Sequence, residues 1–402
     1  MTSDRSAEFE VICRDRLAEL PEWDEIADRA GGFYSTQKWL GLYAGSGTRY
    51  LVVRRAGQTL AVLPCVVAAR AGALPPLTDP ASLLGDHAAP ALRDSLYPQL
   101  HCGMYRGYSN RLLICPALEP ALRAAVIARL LEAARELARR EGAKLVVFGY
   151  LPASAVRELV AIDGRLAPVF AASELAFDNI TTFDAYLERV NSHRKNAIRR
   201  EMRRFAEHGM RIEQRRLVDV VDQVSDVVAR HEAKFDPSVT QQEIREAFEE
   251  WIGHGYSEIS RIFCAYQGDQ LVGASVYVVH GATYYARDAA VLPEAPRQAA
   301  VYFNISVYHA IAAAAAEGIH RIHGGIGTFG AKVEKGATPT PLWFVFDPGD
   351  WDPAALAAMR AAATARLTAE AAELRKHRPD DEVERRLDLA WSLRVLGSAP
   401  ER

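Results

Sequence analysis

The segment NSHRKNAIRREMRRF, residues 191–205, concentrates positive charge in a chain whose formal net charge is −3. It contains six basic residues, Arg194 among them, and a single acid, Glu201. A helix turns by about 100° per residue, which separates the other basic residues from the apolar ones. The basic half consists of Lys195, Arg199, Arg200, Arg203 and Arg204. The apolar half consists of Ala197, Ile198, Met202 and Phe205. The apolar half is expected to pack on a core, and the basic half is either a solvated face or an anion site, most simply for phosphates.

A second segment, GIGTFG at residues 325–330, matches the GxGxxG pattern of dinucleotide sites. Such a site also needs a helix directly after the glycines and an acid ~20 residues further on. Here EKGATPTP comes next, which predicts an end to any helix, so we interpret the segment as a flexible glycine loop. The five cysteines contain no CxxC pair, so neither a metal site nor a disulfide framework is expected.

The composition predicts an ordinary globular protein. Hydrophobic residues make up 49% of the 402 residues and charged residues 25%. A prior of ~150 residues per domain gives two or three domains. The N-terminal MTSDRSAEFEVICRD has no signal-peptide pattern, and no window approaches the ~18 uninterrupted apolar residues of a membrane span. These features predict a cytoplasmic protein with reduced thiols.

The elements that must position these residues have a regular order in the second half. Strands are predicted at 210–216, 261–267, 270–280, 283–291, 319–326 and 341–346. Helices are predicted at 218–235, 240–255 and 299–318. The order is β-α-α-β-β-β-α-β, then a helix or loop, and a last strand.

The first half repeats this order. Strands are predicted at 9–14, 49–55, 59–69, 110–115 and 143–151, and helices at 21–31, 35–45 and 120–142. The words RRAGQTLAVLPCVV and AYQGDQLVGASVYVV are also similar. We therefore predict two copies of one α/β domain. The predicted parts are residues 1–180, a basic connecting helix at 181–209, a second domain at 210–350 and a helical tail at 351–402.

This organisation resembles the Fem-like branch of the GNAT-type acyltransferases. The resemblance spans roughly residues 9–350 and rests on element order and on the segments SHRKNAIRREMRRF, QGDQLVGASVYV, AAAAEGIHRIHGGIGTFGAKVEKGA and PLWFVF. It implies two tandem GNAT-like domains with mixed central sheets. It also implies amide formation, often with an aminoacyl group taken from aminoacyl-tRNA, without a metal or covalent enzyme intermediate.

One departure from the GNAT pattern concerns the donor. Acetyl-CoA-dependent members usually begin the long helix with an Arg/Gln-x-x-Gly-x-Gly/Ala turn whose amides hold pyrophosphate. The segment PEAPRQAAVYFN supplies Arg297 and Gln298 without the glycines, and CPALEPALRAAV in the first copy lacks them too. This favours a tRNA-borne donor over an acyl-CoA thioester. The alternatives are an acyl-CoA-dependent enzyme and a non-catalytic binding module with the same fold.

The resemblance also suggests where chemistry occurs. In TYYARDAAV, alternation along a strand predicts Arg287 and Asp288 on opposite faces, with the acid either taking a proton from the amine or capping a loop. Lys332 lies in the family's lysine-bearing segment and would stabilise a developing oxyanion, unless it is a solvated loop lysine. His323 is a general-base candidate or a core histidine.

Binding residues are assigned by the same resemblance. Donor-binding candidates are Arg194, Lys195, Arg199, Arg200, Arg203, Arg297, Gln298, Tyr302 and Lys335. Acceptor-binding candidates are His231, Lys234, Asp236 and Tyr285 in the second copy, with Arg106 and Tyr108 in the first. The expected partners are tRNA and an amine acceptor, either a small metabolite or a cell-wall precursor.

Overall fold

The computed structural model describes residues 9–43, 45, 47–84, 88–347 and 353–397. The chain divides into two compact units. Unit 1 is Met1–Glu174 together with Thr340–Arg402, and unit 2 is Leu175–Pro339. The predicted boundary between the second copy and the tail, at residues 350 and 351, lies outside the described residues.

The described residues contain thirteen strands and fifteen α-helices, together with short 3-10 turns and one π-helix. The strands are β1 (Glu10–Arg14), β2 (Thr48–Arg55), β3 (Gln58–Ala68), β4 (Gln99–Cys102), β5 (Leu113–Ile114), β6 (Leu145–Pro152), β7 (Ala167–Phe177), β8 (Met210–Arg215), β9 (Ser260–Gln267), β10 (Gln270–His280), β11 (Thr283–Val291), β12 (Arg321–His323) and β13 (Thr338–Asp347). The helices are α1 (Trp23–Ala30), α2 (Gln37–Leu42), α3 (Pro90–Asp94), α4 (Pro120–Arg140), α5 (Ala153–Ile162), α6 (Phe183–Glu188), α7 (Ser192–Glu207), α8 (Leu217–Glu232), α9 (Gln241–Gly253), α10 (Val301–Phe303), α11 (His309–Ala316), α12 (Phe329–Glu334), α13 (Pro353–Arg375), α14 (Asp380–Leu387) and α15 (Leu389–Val395).

The two units order their strands in the same way. In unit 1 the order is β1-β2-β3-β4-β6, and in unit 2 it is β8-β9-β10-β11-β12. The last pair is parallel in each unit, whereas the preceding pairs are antiparallel. The predicted α/β class with mixed sheets is therefore confirmed.

Each sheet is completed by a strand from elsewhere in the sequence. In unit 1, β13 pairs antiparallel with β6 through Leu342–Asp347. In unit 2, the end of β7 pairs antiparallel with β12 at Ile322↔Phe177 and His323↔Ala176. The segment 341–346, which the sequence placed at the end of the second copy, thus belongs to the sheet of unit 1.

Local sequence explains the turns and helix ends. The β2–β3 hairpin turns at Ala56 and Gly57, whose φ angles are 50° and 79°, the signs that a tight two-residue hairpin turn requires. Thr240 and Glu243 form a reciprocal capping box at the start of α9. Gly318, with φ of 71°, comes after the end of α11 in the left-handed conformation that favours glycine.

The long apolar helix predicted at 299–318 is irregular. A 3-10 turn at Arg297–Ala299 leads into α10, a π-helix occupies Asn304–Tyr308, and α11 comes next. Residues Arg297–Ala316 are long and apolar enough to cross a membrane by length and composition, but half of that span is buried within the protein. This burial is typical of a core helix.

Several predicted elements differ from the structure. The strand predicted at 319–326 is only β12, because Gly324 and Gly325 turn away from β11 after His323. The strand predicted at 110–115 is reduced to β5, which pairs beside β3. Strands β4 and β7 and helix α5 were not predicted at all.

The tail packs on unit 1. Helix α13 begins at Pro353, and Arg366 in it donates to the carbonyl of Ala171 at 2.6 Å. The indole of Trp391 in α15 contacts Trp343 of β13 at a centroid distance of 5.2 Å and the guanidinium of Arg157 at 4.5 Å. These contacts bury one side of the helices that the sequence predicted as a tail.

Candidate active site

Strands β11 and β12 separate after three residue pairs, the last of which is Tyr285↔His323. Beyond that pair the chain runs along β7 instead, because the Gly324 N–H donates to Leu175 O at 2.7 Å and the Leu175 N–H donates to Gly325 O at 2.9 Å. Strand β11 continues beside β10 as far as Val291. The two parallel strands of unit 2 are thus paired at one end only, and we call the place where they separate the β11–β12 opening.

A β-bulge shapes the β11 side of this opening. Asp288 lies opposite Val276 and Ala286 lies opposite Tyr277, so Arg287 is the extra residue. The guanidinium of Arg287 lies 6.0 Å from the centre of the Trp251 ring in α9. The prediction that Arg287 and Asp288 occupy opposite faces is wrong, because the bulge turns both side chains toward the α8–α9 side of the sheet.

Asp288 follows the bulge residue and is an acid with a raised pKa. Burial raises the pKa of its carboxyl group by disfavouring the charged form. The positive charge of Arg287 opposes this shift, and the negative charge of Glu232 in α8 adds to it. A carboxyl group with a raised pKa is suited to accept a proton from an ammonium group near neutral pH.

The opposite face of the sheet is covered by the long helix. Ser275 Oγ donates to Ile305 O at 2.9 Å, and the Tyr277 hydroxyl donates to Ser306 O at 2.6 Å. Both acceptors lie in the π-helix between α10 and α11. The irregular segment is therefore fixed to β10 by two buried hydrogen bonds.

Lys332 holds the glycine segment on the β12 side. Its Nζ donates to Gly324 O at 2.6 Å and to Gly327 O at 3.0 Å. Burial lowers the pKa of this amine to about 8. The glycine segment leads into the six-residue helix α12, so the helix alternative of the predicted helix or loop is the one present, and it ends at Glu334 as the segment EKGATPTP predicted. The role of Lys332 beside a donor oxygen stays a prediction.

His323 lies at the apex of the β11–β12 opening. It is 2% exposed, and its ring centre lies 5.3 Å from that of Tyr285 on the neighbouring strand. The two candidates are therefore brought together where the strands begin to separate. This burial is consistent with the core-histidine alternative.

The start of the long helix carries three donor-binding candidates. Arg297 and Gln298 lie exposed in its 3-10 turn, and Tyr302 lies half-buried with its ring 5.2 Å from that of Phe303. Ala300 adopts the left-handed conformation with φ of 49°. A non-glycine residue in this conformation marks a sharp local change of direction between the 3-10 turn and α10.

The basic segment forms helix α7 as predicted. Its apolar side is buried through Ala197, Ile198 and Phe205. The residues exposed on the other side are Arg199, Arg200, Arg203 and Arg204, with Lys195 half-buried. Arg203 pairs with Glu207 at 3.7 Å, an exposed pair of small energetic value. We call these four arginines the basic face of α7.

Two donor-binding candidates are engaged inside unit 2. Arg194 forms an ion pair with Glu334 of α12. Lys335, which is 2% exposed, donates from Nζ to both carboxylate oxygens of Glu201 at 2.7 and 2.8 Å. Sequence reasoning did not assign a role to Glu201, although its position as the single acid of a basic helix was a visible signal.

The acceptor-binding candidates fall into separate groups. Lys234 donates to Val291 O at 3.2 Å, at the end of β11, and His231 contacts the same carbonyl at 3.3 Å. Asp236 accepts hydrogen bonds from Ser238 within its own turn. Arg106 and Tyr108 belong to unit 1, where the Arg106 guanidinium lies 5.0 Å from the Tyr43 ring.

The sequence and the fold identify the family. Residues 89–379 match the FemAB-like family, described as peptidoglycan biosynthesis/recognition. The chain belongs to this family. No curated protein matches the chain in sequence.

Solved structures share the Fem-like fold. FemX superposes with a TM-score of 0.56 at 10% identity, over 83% of this chain and 96% of FemX. L-PGS from Bacillus licheniformis gives 0.52 at 11% identity, over 85% and 97%. A conserved protein of unknown function from Bacteroides thetaiotaomicron gives 0.53 at 14%, over 84% and 99%. These superpositions show a shared fold, and within it the two units of this chain repeat one strand order.

Proposed function

We propose that this Fem-like protein transfers an aminoacyl group from aminoacyl-tRNA to an amine acceptor in the cytoplasm and forms an amide bond. The observation that carries the proposal is the β11–β12 opening with Asp288 beside it, whose carboxyl pKa is raised by burial. Amide formation by direct attack requires the acceptor amine to lose a proton, and a carboxyl group with a raised pKa next to the separated strands can accept it.

The proposed reaction uses no covalent enzyme intermediate. Asp288 takes one proton from the acceptor ammonium group, and the neutral amine attacks the ester carbonyl carbon of the donor. The new C–N bond forms as the C–O bond to the terminal ribose breaks. The second amine proton leaves the nitrogen, and the ribose oxygen gains a proton to become a hydroxyl group.

The basic face of α7 supports a tRNA-borne donor. Four exposed arginines on one helix side can contact successive phosphates without reading bases. The segment between β11 and α10 supports the same choice. Counted from Arg297, the Arg/Gln-x-x-Gly-x-Gly/Ala pattern puts Ala300 and Tyr302 where acetyl-CoA-dependent GNAT proteins usually have glycine, or at the second position glycine or alanine. An acyl-CoA donor remains the competing hypothesis.

The family description supports one acceptor class over the other. Peptidoglycan biosynthesis offers amine groups on cell-wall precursors, so we propose such a precursor as the acceptor in preference to a small metabolite.

A donor competition tests the proposal. Purified protein is supplied with an amine-bearing cell-wall precursor and either charged tRNA or an acyl-CoA, and the amide product is measured by mass spectrometry. Product from charged tRNA alone is expected. Product from acyl-CoA alone would reject the donor, and no product from either would favour a binding module.

Salt dependence of tRNA binding provides a second readout. The Arg199→Gln/Arg200→Gln variant should lower the slope of log K against log salt by roughly 1.5, or 0.7–0.9 per lost contact. The matched control is Arg385→Gln/Arg386→Gln in α14 of unit 1, which removes the same charge from another helix. Equal slopes in the wild type and the α7 variant would remove α7 from the donor surface.

A further inference from the structure

Helices α7 and α12 are joined by two ion pairs of opposite direction. The cation Arg194 of α7 meets the anion Glu334 at the end of α12, and the anion Glu201 of α7 meets the cation Lys335 directly after α12. The two α7 residues lie seven positions apart, which places them on one side of that helix. If α12 shifted along α7 so that the partners were exchanged, Arg194 would face Lys335 and Glu201 would face Glu334. The repulsion of these like charges favours the observed register of the two helices.

The Glu201–Lys335 pair lies among aromatic groups, with Lys335 buried and Glu201 half-buried. The Lys335 Nζ lies 4.6 Å from the Phe303 ring centre, and the Tyr308 hydroxyl donates to Glu201. The Tyr186 hydroxyl donates to Lys335 O at 2.7 Å. Elements α6, α7, α10 and the π-helix therefore converge on the residue directly after α12.

Helix α12 depends on such contacts for its position. It has six residues, and helices of that length are not stable by themselves in water. The same helix carries Lys332, whose amine is bonded to Gly324 O and Gly327 O beside the β11–β12 opening. Contacts therefore run without interruption from α7 through α12 to the glycine segment of the opening.

We propose that Glu201 is a positioning residue for acyl transfer, which links the basic face of α7 to the geometry of the β11–β12 opening. This inference rests on the proposed function, because it assigns α7 both to the donor and, through its buried side, to the wall of the site. Glu201 acts through Lys335 and α12 and does not touch the reacting atoms.

Kinetics of the Glu201→Gln variant test the inference. At saturating charged tRNA we expect kcat to fall on the order of tenfold, which is within the range of coupling effects. The tRNA dissociation constant should change little, since the basic face of α7 is intact. A purely structural role would lower the melting temperature but leave the kcat of the folded protein unchanged.

Two further variants keep the test decisive. Glu207→Gln removes the same charge from the exposed side of α7 and should retain the wild-type kcat. Glu201→Gln/Lys335→Met removes both charges, so no buried cation is left unpaired if the single variant fails to fold. The double variant should show the same loss of kcat.

Hydrogen exchange separates this inference from the proposed function. Without any substrate, amides in residues 324–335 should exchange faster in Glu201→Gln than in Glu207→Gln. Wild-type kcat and unchanged exchange in both Glu201 variants would overturn the inference. Faster exchange in a protein that never uses charged tRNA would reject the proposed donor and leave the positioning role standing.

Discussion

Each unit contains one corresponding parallel strand pair, but the two units differ in what lies beyond the last paired residue. In unit 1, β4 and β6 pair from Gln99↔Leu145 to Cys102↔Phe148. In unit 2, β11 and β12 pair over three residues and then separate. The element order before both pairs is the same, so the difference arises beyond the last paired residue.

Unit 1 bridges its open end with one side chain. Asn110, 2% exposed, accepts from the Met104 N–H at 2.9 Å, and its Nδ2 donates to Gly149 O at 2.8 Å. The backbone N–H of Asn110 also donates to Tyr150 O at 3.0 Å. A Cβ on Gly149 would lie 2.6 Å from the His101 ring, so this region is closely packed.

In unit 2, the residues directly after the last strand pair are two glycines. Gly324 and Gly325 bond to Leu175 of β7, and Lys332 holds their segment from the side opposite β11. The hydrogen bonds described for this segment therefore lead to β7 and to α12. Under the proposed function, the duplicated fold keeps the open strand pair of unit 2 for chemistry and closes that of unit 1 for stability.

The largest expected effect is on the acid of the open pair. Asp288→Asn should lower kcat by roughly 10²–10⁴-fold, the range for removal of a general base. The wild-type rate should rise with pH through the raised pKa of Asp288, since only the ionised carboxylate accepts a proton. The variant should lose this limb of the pH profile.

The control makes the same chemical change at an exposed site of the same sheet. Asp269 lies in the turn between β9 and β10, and Asp269→Asn should leave kcat unchanged. Equal activity of Asp288→Asn and the control would show that the opening is not the catalytic site.

The next effect concerns helix α13, which packs against strand β7. Glu370 of α13 is half-buried against β7, where it accepts from Ser173 Oγ at 2.6 Å, and desolvation raises its pKa from 4.5 to about 7. A raised carboxyl pKa means that the folded state favours the neutral form. The stability from this group is present below pH 4.5 and is lost as pH rises through about 7.

Urea unfolding at several pH values checks this sign. Between those two pKa values the free energy of unfolding of the wild type should fall by roughly 3 kcal/mol relative to Glu370→Gln. Glu373→Gln on the same helix is the control, because the pKa of Glu373 is lowered, mainly by its hydrogen bond with Lys376. A difference between wild type and Glu370→Gln that does not vary with pH would contradict the assignment.

The closed pair of unit 1 should matter for stability and not for chemistry. Asn110→Ala leaves buried groups of Met104 and Gly149 unbonded and should lower the free energy of unfolding by about 2 kcal/mol. The kcat of the folded variant should match the wild type. A loss of kcat comparable with that of Asp288→Asn would mean that the strand pair of unit 1 also takes part in catalysis.

The sequence predicted the positions of helices and strands better than it predicted which strands pair with each other. Strands β9 to β11 were predicted within one or two residues, because apolar periodicity and glycine turns act locally. The connecting helix predicted at 181–209 is divided into α6 and α7, of which α7 contains the basic segment. Strand β4 has only four residues, QLHC, and an alternation this short does not distinguish a strand from a loop. That β13 completes unit 1 is a long-range pairing, and periodicity does not encode the partner of a strand.

The site shows the same limit. Asp288 and Lys332 were proposed from the family resemblance, and both lie beside the β11–β12 opening. The bulge at Arg287 was not predictable, because a bulge depends on pairing with β10. The partners of Arg194 and Lys335 were missed for a similar reason, since Glu334 and Glu201 approach them only when α7 packs against α12.

The smallest expected effect concerns the lysine that shapes the open pair. Lys332→Met removes the two hydrogen bonds to Gly324 O and Gly327 O, while its unbranched side chain fills similar space. We expect a loss of about tenfold in kcat, since the glycine segment loses a support and no proton acceptor is lost. The activity supported by Lys332 should also decline as pH rises through its pKa of about 8, where the amine becomes neutral and bonds the carbonyls less strongly.

Lys376→Met in the tail is the matched control, because it removes an exposed lysine that pairs with Glu373. If Lys332 supports only the wall of the opening, the kcat of Lys332→Met should still rise with pH as Asp288 ionises. It should no longer fall as pH passes about 8. If Lys332 instead contacts the donor oxygen, the loss should approach that of Asp288→Asn. The size of this one effect therefore decides whether the lysine belongs to the wall or to the reacting groups.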